Sequence, residues 1–207
     1  VRDPLISEEF SPFSLQNKAR PQFVLDYLDS PIHPMKGDYV AASIAYINAL
    51  EEGEALNFVK TDIRYKSFNN IRRTLILGMM MRFGYSQSFE GERLPDNERF
   101  VLGGNKGVRG YDDDGIVQYN RRGDIRAETN ENGEVGRVFG GDLVATGTLE
   151  MRFPIMRASG LWGSLFYDVG ALSEGLFDLH GKSFRQSAGF GFRYLIGNAI
   201  PVRLDYG

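Results

Sequence analysis

From Leu75 to Ser86 the side chains alternate: Leu75, Leu77, Met79, Met81, Phe83 and Tyr85 share one face, and Ile76, Gly78, Met80, Arg82, Gly84 and Ser86 the other. A period of two sustained over this length specifies a β-strand and excludes an amphipathic helix. The run is also long enough to cross a bilayer at a tilt. The same alternation returns along the chain, with strands expected at about 21–29, 38–49, 56–67, 72–86, 141–154, 161–172, 185–195 and 201–207. Parity places Arg64, Arg82, Arg152, Arg193 and Arg203 on one set of faces and the larger apolar residues on the other. Asp168 and Glu150 fall on the charged side too. A soluble β-sandwich would show alternation as core and solvent faces, so the pattern leaves that architecture open beside a membrane barrel.

Composition favours all-β in either case, because 25 Gly, 15 Phe and 10 Tyr suit strands and turns. The formal net charge of -3 provides no field that would draw in nucleic acid. There is no cysteine, hence no thiolate nucleophile, thiolate metal site or disulfide framework. No apolar run approaches the ~20 residues of a membrane helix, a test that leaves β-barrels untouched. His33 lies in a Pro-rich turn and His180 in a loop, so neither suggests a positioned base, and no enzymatic activity or cofactor is expected of this chain. The start at Val1, without an initiator Met or a signal peptide, is read as a piece of something longer.

Between the strands at 72–86 and 141–154 lies a connection, residues 87–140, too long for a compact soluble domain but normal on one side of an outer-membrane barrel. It contains Glu98-Arg99-Phe100-Val101-Leu102-Gly103-Gly104-Asn105-Lys106-Gly107-Val108-Arg109-Gly110-Tyr111. Glycines permit tight turns there, and Arg109 is a permanent cation that needs acceptors if the loop folds inward, or water if it does not. Asp112-Asp113-Asp114 offers oxygen ligands without the spacing of a calcium loop, so solvated acids are expected and no metal.

These residues resemble the outer-membrane β-barrel assembly and two-partner-secretion superfamily, also called bacterial surface antigens. Its long loop is tipped by a Val/Ile-Arg-Gly-Phe/Tyr motif, matched by Val108, Arg109, Gly110 and Tyr111; a second motif, Phe-x-Asp-x-Gly, is matched by Phe166, Asp168 and Gly170. The resemblance implies about eight antiparallel strands of a 16-stranded transmembrane β-barrel in the bacterial outer membrane. It implies that the loop folds into the lumen and that Arg109 meets the inner wall at Asp168, with Glu150 as second candidate. Relative to the family pattern, the early strands, the final strand and the preceding polypeptide-transport-associated repeats are absent, so the sheet is expected to have open edges.

The function implied is insertion and folding of β-barrel proteins in the outer membrane, with outer-membrane lipid, unfolded outer-membrane proteins and accessory lipoproteins as partners. Fold alone does not separate this from a two-partner-secretion translocator or from the anchor barrel of a patatin-like lipase. A soluble β-sandwich binding module remains the alternative outside the family.

Overall fold

The computed structural model describes residues 15–51, 54–72, 74–89, 94–113, 115–116, 118–119, 125–129, 135–138, 140–156, 160–175, 178–179, 181–196 and 200–207. Twelve strands are found among them: β1 (Leu15–Ala19), β2 (Gln22–Asp26), β3 (Gly37–Glu51), β4 (Glu54–Arg72), β5 (Leu75–Ser88), β6 (Gln118–Tyr119), β7 (Ile125–Thr129), β8 (Val135–Val138), β9 (Leu143–Met156), β10 (Leu161–Ser173), β11 (Phe184–Ile196) and β12 (Ile200–Tyr206). Nine form one antiparallel sheet in the order β1-β3-β4-β5-β9-β10-β11-β12, with β2 also on β3. The path is a meander, unclosed between β1 and β12, and β6–β8 make a separate small sheet inside the β5–β9 connection.

The faces of this sheet are inverted relative to a soluble protein. Ile44, Tyr46, Ile63, Leu77, Met81, Leu149, Leu165, Tyr167, Phe190, Phe192, Tyr194, Val202 and Leu204 are exposed on the outer face. Asp62, Glu150, Arg152, Ser164 and Asp168 are buried on the inner one. Only a solvent as apolar as a bilayer makes that distribution favourable, since each exposed aliphatic side chain would otherwise forgo roughly 1.5–3 kcal/mol of burial. Leu149, at the middle of β9 and half exposed, tests the assignment. Leu149→Arg is expected to destabilise the lipid-inserted protein by about 2–4 kcal/mol, read as a lowered urea midpoint in vesicles.

Several boundaries differ from the sequence-based expectation. No strand is expected before residue 21, and residues 1–14 lie outside the described ones, yet Leu15–Ala19 pair with β3 in the register that β2 continues, Leu15 opposite Leu50 and Gln22 opposite Ser43. The two are one edge strand broken at Arg20–Pro21, where proline has no amide hydrogen to donate. The first strand ends at Asp26 rather than 29, and the Asp29 carboxylate then accepts from the amides of Met35 and Lys36 at 2.9 and 3.2 Å, organising the turn. The break expected between the strands at 56–67 and 72–86 is not at Phe68–Asn70, which are strand: β4 continues to Arg72 with a bulge between Asn70 and Arg72. Pairing with β5 overrides the turn preference of two successive asparagines. The connection 87–140 is not structureless, since it carries β6–β8 and two turns of 3-10 helix.

Pro154 lies within β9 without breaking the sheet, because the β5 ladder reaches only Arg152 and leaves no donor to be missed beyond it. Pro201 is likewise on an edge strand, β12.

Candidate functional site

The β5–β9 connection is pinched at its base and folded over the inner face of the sheet. Phe100 and Gly141 exchange both backbone hydrogen bonds at 2.8 Å. Further in, the Ile116 amide donates to the Leu102 carbonyl at 2.9 Å and the Gly104 amide to the Tyr111 carbonyl at 3.1 Å, closing a lobe whose tip is Val108–Tyr111. Phe100, Leu102, Val108 and Ile116 pack against Val144 and Leu172 of the wall, with Tyr111 partly buried beside them. The tip can come this close because Gly170 presents no side chain: a Cβ there would lie 2.6 Å from Val108 Cγ2. Gly110 has φ +86°, and a Cβ on it would meet the Gly207 backbone at 2.7 Å, so conformation and contact both require glycine.

Arg109 is thereby delivered to a buried set of carboxylates. Its Nε donates to Asp168 Oδ2 at 2.6 Å and its Nη2 to Asp168 Oδ1 at 2.8 Å, a two-pronged pairing, and its backbone amide also reaches Oδ2 at 3.2 Å. Nη1 donates to Glu150 Oε2 at 3.0 Å and to Asp205 Oδ2 at 3.4 Å. The guanidinium carbon lies 3.4 Å over the Phe166 ring, a cation–π contact. Phe166 and Glu150 are direct partners in the β10–β9 register, and Asp168 is two residues further on the same face, so three wall residues converge on one guanidinium. Burial works against the charge, but the Asp168 hydrogen bonds and charge, followed by those of Glu150, hold the Arg109 pKa above its ordinary value.

Glu150, with no exposed surface, is the hub. It accepts from Arg152 Nε at 2.5 Å and from Arg193 Nη2 at 2.6 and 2.7 Å as well as from Arg109. Arg203 bonds Asp205, which Gly191 accommodates, since a Cβ at 191 would meet Asp205 Oδ1. Arg152, Arg193, Arg203 and Asp205 were not expected as members of this network, although parity already put the arginines on the charged faces. Tyr111 reaches the Gln186 carbonyl at 3.4 Å. Among the described residues no group of three His, Cys, Asp or Glu side chains could hold a metal ion. Asp114 of the triple aspartate and His180 lie outside the described residues.

On the short-turn side, Arg152 Nη1 donates to the Pro34 carbonyl at 3.1 Å, and the Arg152 guanidinium lies over the Phe68 ring. His33 stacks on Trp162 with centroids 4.9 Å apart. Burial, then the charges of Arg152 and Arg193, push the His33 pKa down from 6.5 to about 4. Between those values the unfolded chain binds a proton that the folded chain refuses, so His33 costs stability as pH falls through this window. His33→Gln is expected to flatten the pH dependence of the unfolding midpoint between pH 6.5 and 4.

Residues 5–207 match the family model of the Omp85 superfamily domain. The chain belongs to the Omp85 superfamily. Among solved structures this Omp85 chain is similar to BamA from Haemophilus ducreyi lacking POTRA domains 1-3, with a TM-score of 0.69 and 17% identity; the match covers 91% of this chain and 38% of that one. At this identity the likeness is one of fold, and the Omp85 chain spans well under half the length of that relative. The family match, the BamA-like path and the apolar outer face together make it a bacterial outer-membrane β-barrel protein. Omp85 proteins are a family of membrane proteins.

Proposed function

We propose that the chain is the barrel part of an assembly factor that inserts and folds β-barrel proteins in the outer membrane. The observation that carries this reading is the fastening of the long loop to the wall by Arg109, Asp168 and Glu150. A polypeptide exported through the lumen would have to displace a loop whose guanidinium is held by buried carboxylates. Insertion of a substrate beside the barrel leaves the loop in place. The likeness of fold to BamA supports the same reading.

On this reading Val108, Arg109, Gly110 and Tyr111 are the latch and Asp168, Glu150, Phe166 and Gly170 the keep that receives it. The partners are outer-membrane lipid, unfolded outer-membrane proteins and accessory lipoproteins of an assembly complex. Depletion of the full-length protein in cells tests it. Falling levels of other folded outer-membrane β-barrel proteins are expected; normal levels, with loss of one exported polypeptide, would make it a translocator.

A further inference from the structure

Away from the Arg109 network, the inner face of β1, β3, β4 and β5 and the base of the long loop border a half-open cavity of about 280 Å³. Lys18, Arg20, Lys60, Arg64, Arg82 and Arg99 line it, and Asp62 is the one acid among the described lining residues. Its charges are arranged unlike those around Glu150. Asp62 is shared by Arg64 at 2.6 Å and Arg82 at 2.8 Å. Glu98, just outside, is shared by Lys60 at 3.4 Å and Lys18 at 3.8 Å. Among the described residues Arg20 has the Ser43 hydroxyl at 3.2 Å and no carboxylate. Arg99 is held by Asp142 and Glu174, yet its Nη1 is buried without an acceptor among the described residues.

The positive surplus continues along the wall. An adjoining cavity of about 350 Å³ shares Arg64 and Arg82 and adds Lys66, together with Arg109 and Arg203, whose carboxylate partners lie behind them; no acid stands among its described lining residues. Cations confined on a concave wall with low-dielectric strands behind them focus the field on the space between them. Guanidinium forks match the oxygens of phosphate, and an unpaired buried donor costs about 1–3 kcal/mol until an acceptor arrives.

We propose that this lumenal cavity binds a phosphate-bearing anion with at least two negative charges. The volume admits one such group with a few waters and excludes a folded polypeptide. The inner face is the aqueous one, so the phosphate comes from a soluble compound or from a lipid headgroup reaching past the rim. This inference does not depend on whether the protein is an insertase or a translocator.

The probe is sodium pyrophosphate, titrated calorimetrically into the full-length protein in a non-ionic detergent at low ionic strength. One saturable site is expected, weakening at least tenfold between 20 and 200 mM added salt, roughly the spacing over which the Debye length shrinks past the cavity dimensions. Arg20→Gln is expected to weaken binding about tenfold with unchanged heat-modifiable migration on a gel, because among the described residues Arg20 bonds a hydroxyl and no carboxylate; Lys36→Gln, in the exposed turn, is expected to change nothing. In a second arm, micelles of a diphosphorylated glycolipid compete with pyrophosphate if the headgroup is the source, and leave its affinity unchanged if the source is soluble. Absence of saturable binding at millimolar pyrophosphate, or equal affinity in a folded Arg20→Gln protein, overturns the proposal.

Discussion

Arg109→Glu is expected to release the long loop from the wall. The substitution places a fourth carboxylate among Asp168, Glu150 and Asp205, all of which accept from Arg109. Losing one partner of a buried pair costs about 3–5 kcal/mol, and reversing the charge adds repulsion to the loss. The protein should lose its heat-modifiable form or retain it only at low temperature, and a protease added from the long-loop side should cut within 94–113, a stretch the native fold protects. Arg109→Lys should fall between the two, because one ammonium cannot bridge both Asp168 oxygens while reaching Glu150 and lying flat on Phe166. Unchanged protection in Arg109→Glu would show that Phe100, Leu102 and Val108 hold the loop unaided.

Glu150→Ala should be more damaging still. It removes the common acceptor of Arg109, Arg152 and Arg193 from a site without exposed surface and leaves three guanidinium groups facing one another. Loss of more than about 4 kcal/mol is expected, measured as failure to accumulate in the outer membrane or as a collapsed urea midpoint after refolding into vesicles. Glu150→Gln keeps the shape and should rescue little, since charge rather than size is missing. Arg109→Ala added to Glu150→Ala should cost less than Arg109→Ala alone, because the pair acts as a unit.

The strands were legible where side chains alternate against two different environments. Leu77 and Met81 face outward and Gly84 and Ser86 inward, as their parity indicates. β1 was not legible because Leu-Gln-Asn-Lys-Ala carries no such alternation; its strand geometry comes from pairing with Tyr46–Leu50. Asn69 and Asn70 were misleading for the complementary reason, a local turn preference overruled by partners on β5. Parity placed Asp168, Glu150 and Arg152 on the inner wall. Arg193 of β11 stands opposite Trp162 and Asp205 of β12 opposite Gly191, both displaced from the Glu150–Phe166–Gly189 rung, so their convergence on the site depends on inter-strand register and side-chain reach, which no single strand encodes.

Glu150 also joins the two rims. Through Arg109 it holds the loop on one side of the barrel, and through Arg152 it holds the Pro34 carbonyl of the 27–36 turn on the other. Two groups competing for, or jointly orienting, one carboxylate do not respond independently: whatever free energy a detached loop takes from the turn, a detached turn takes from the loop. Hydrogen exchange at Met35 and Lys36, whose amides are fastened to Asp29, would therefore register an event at the far mouth of the barrel.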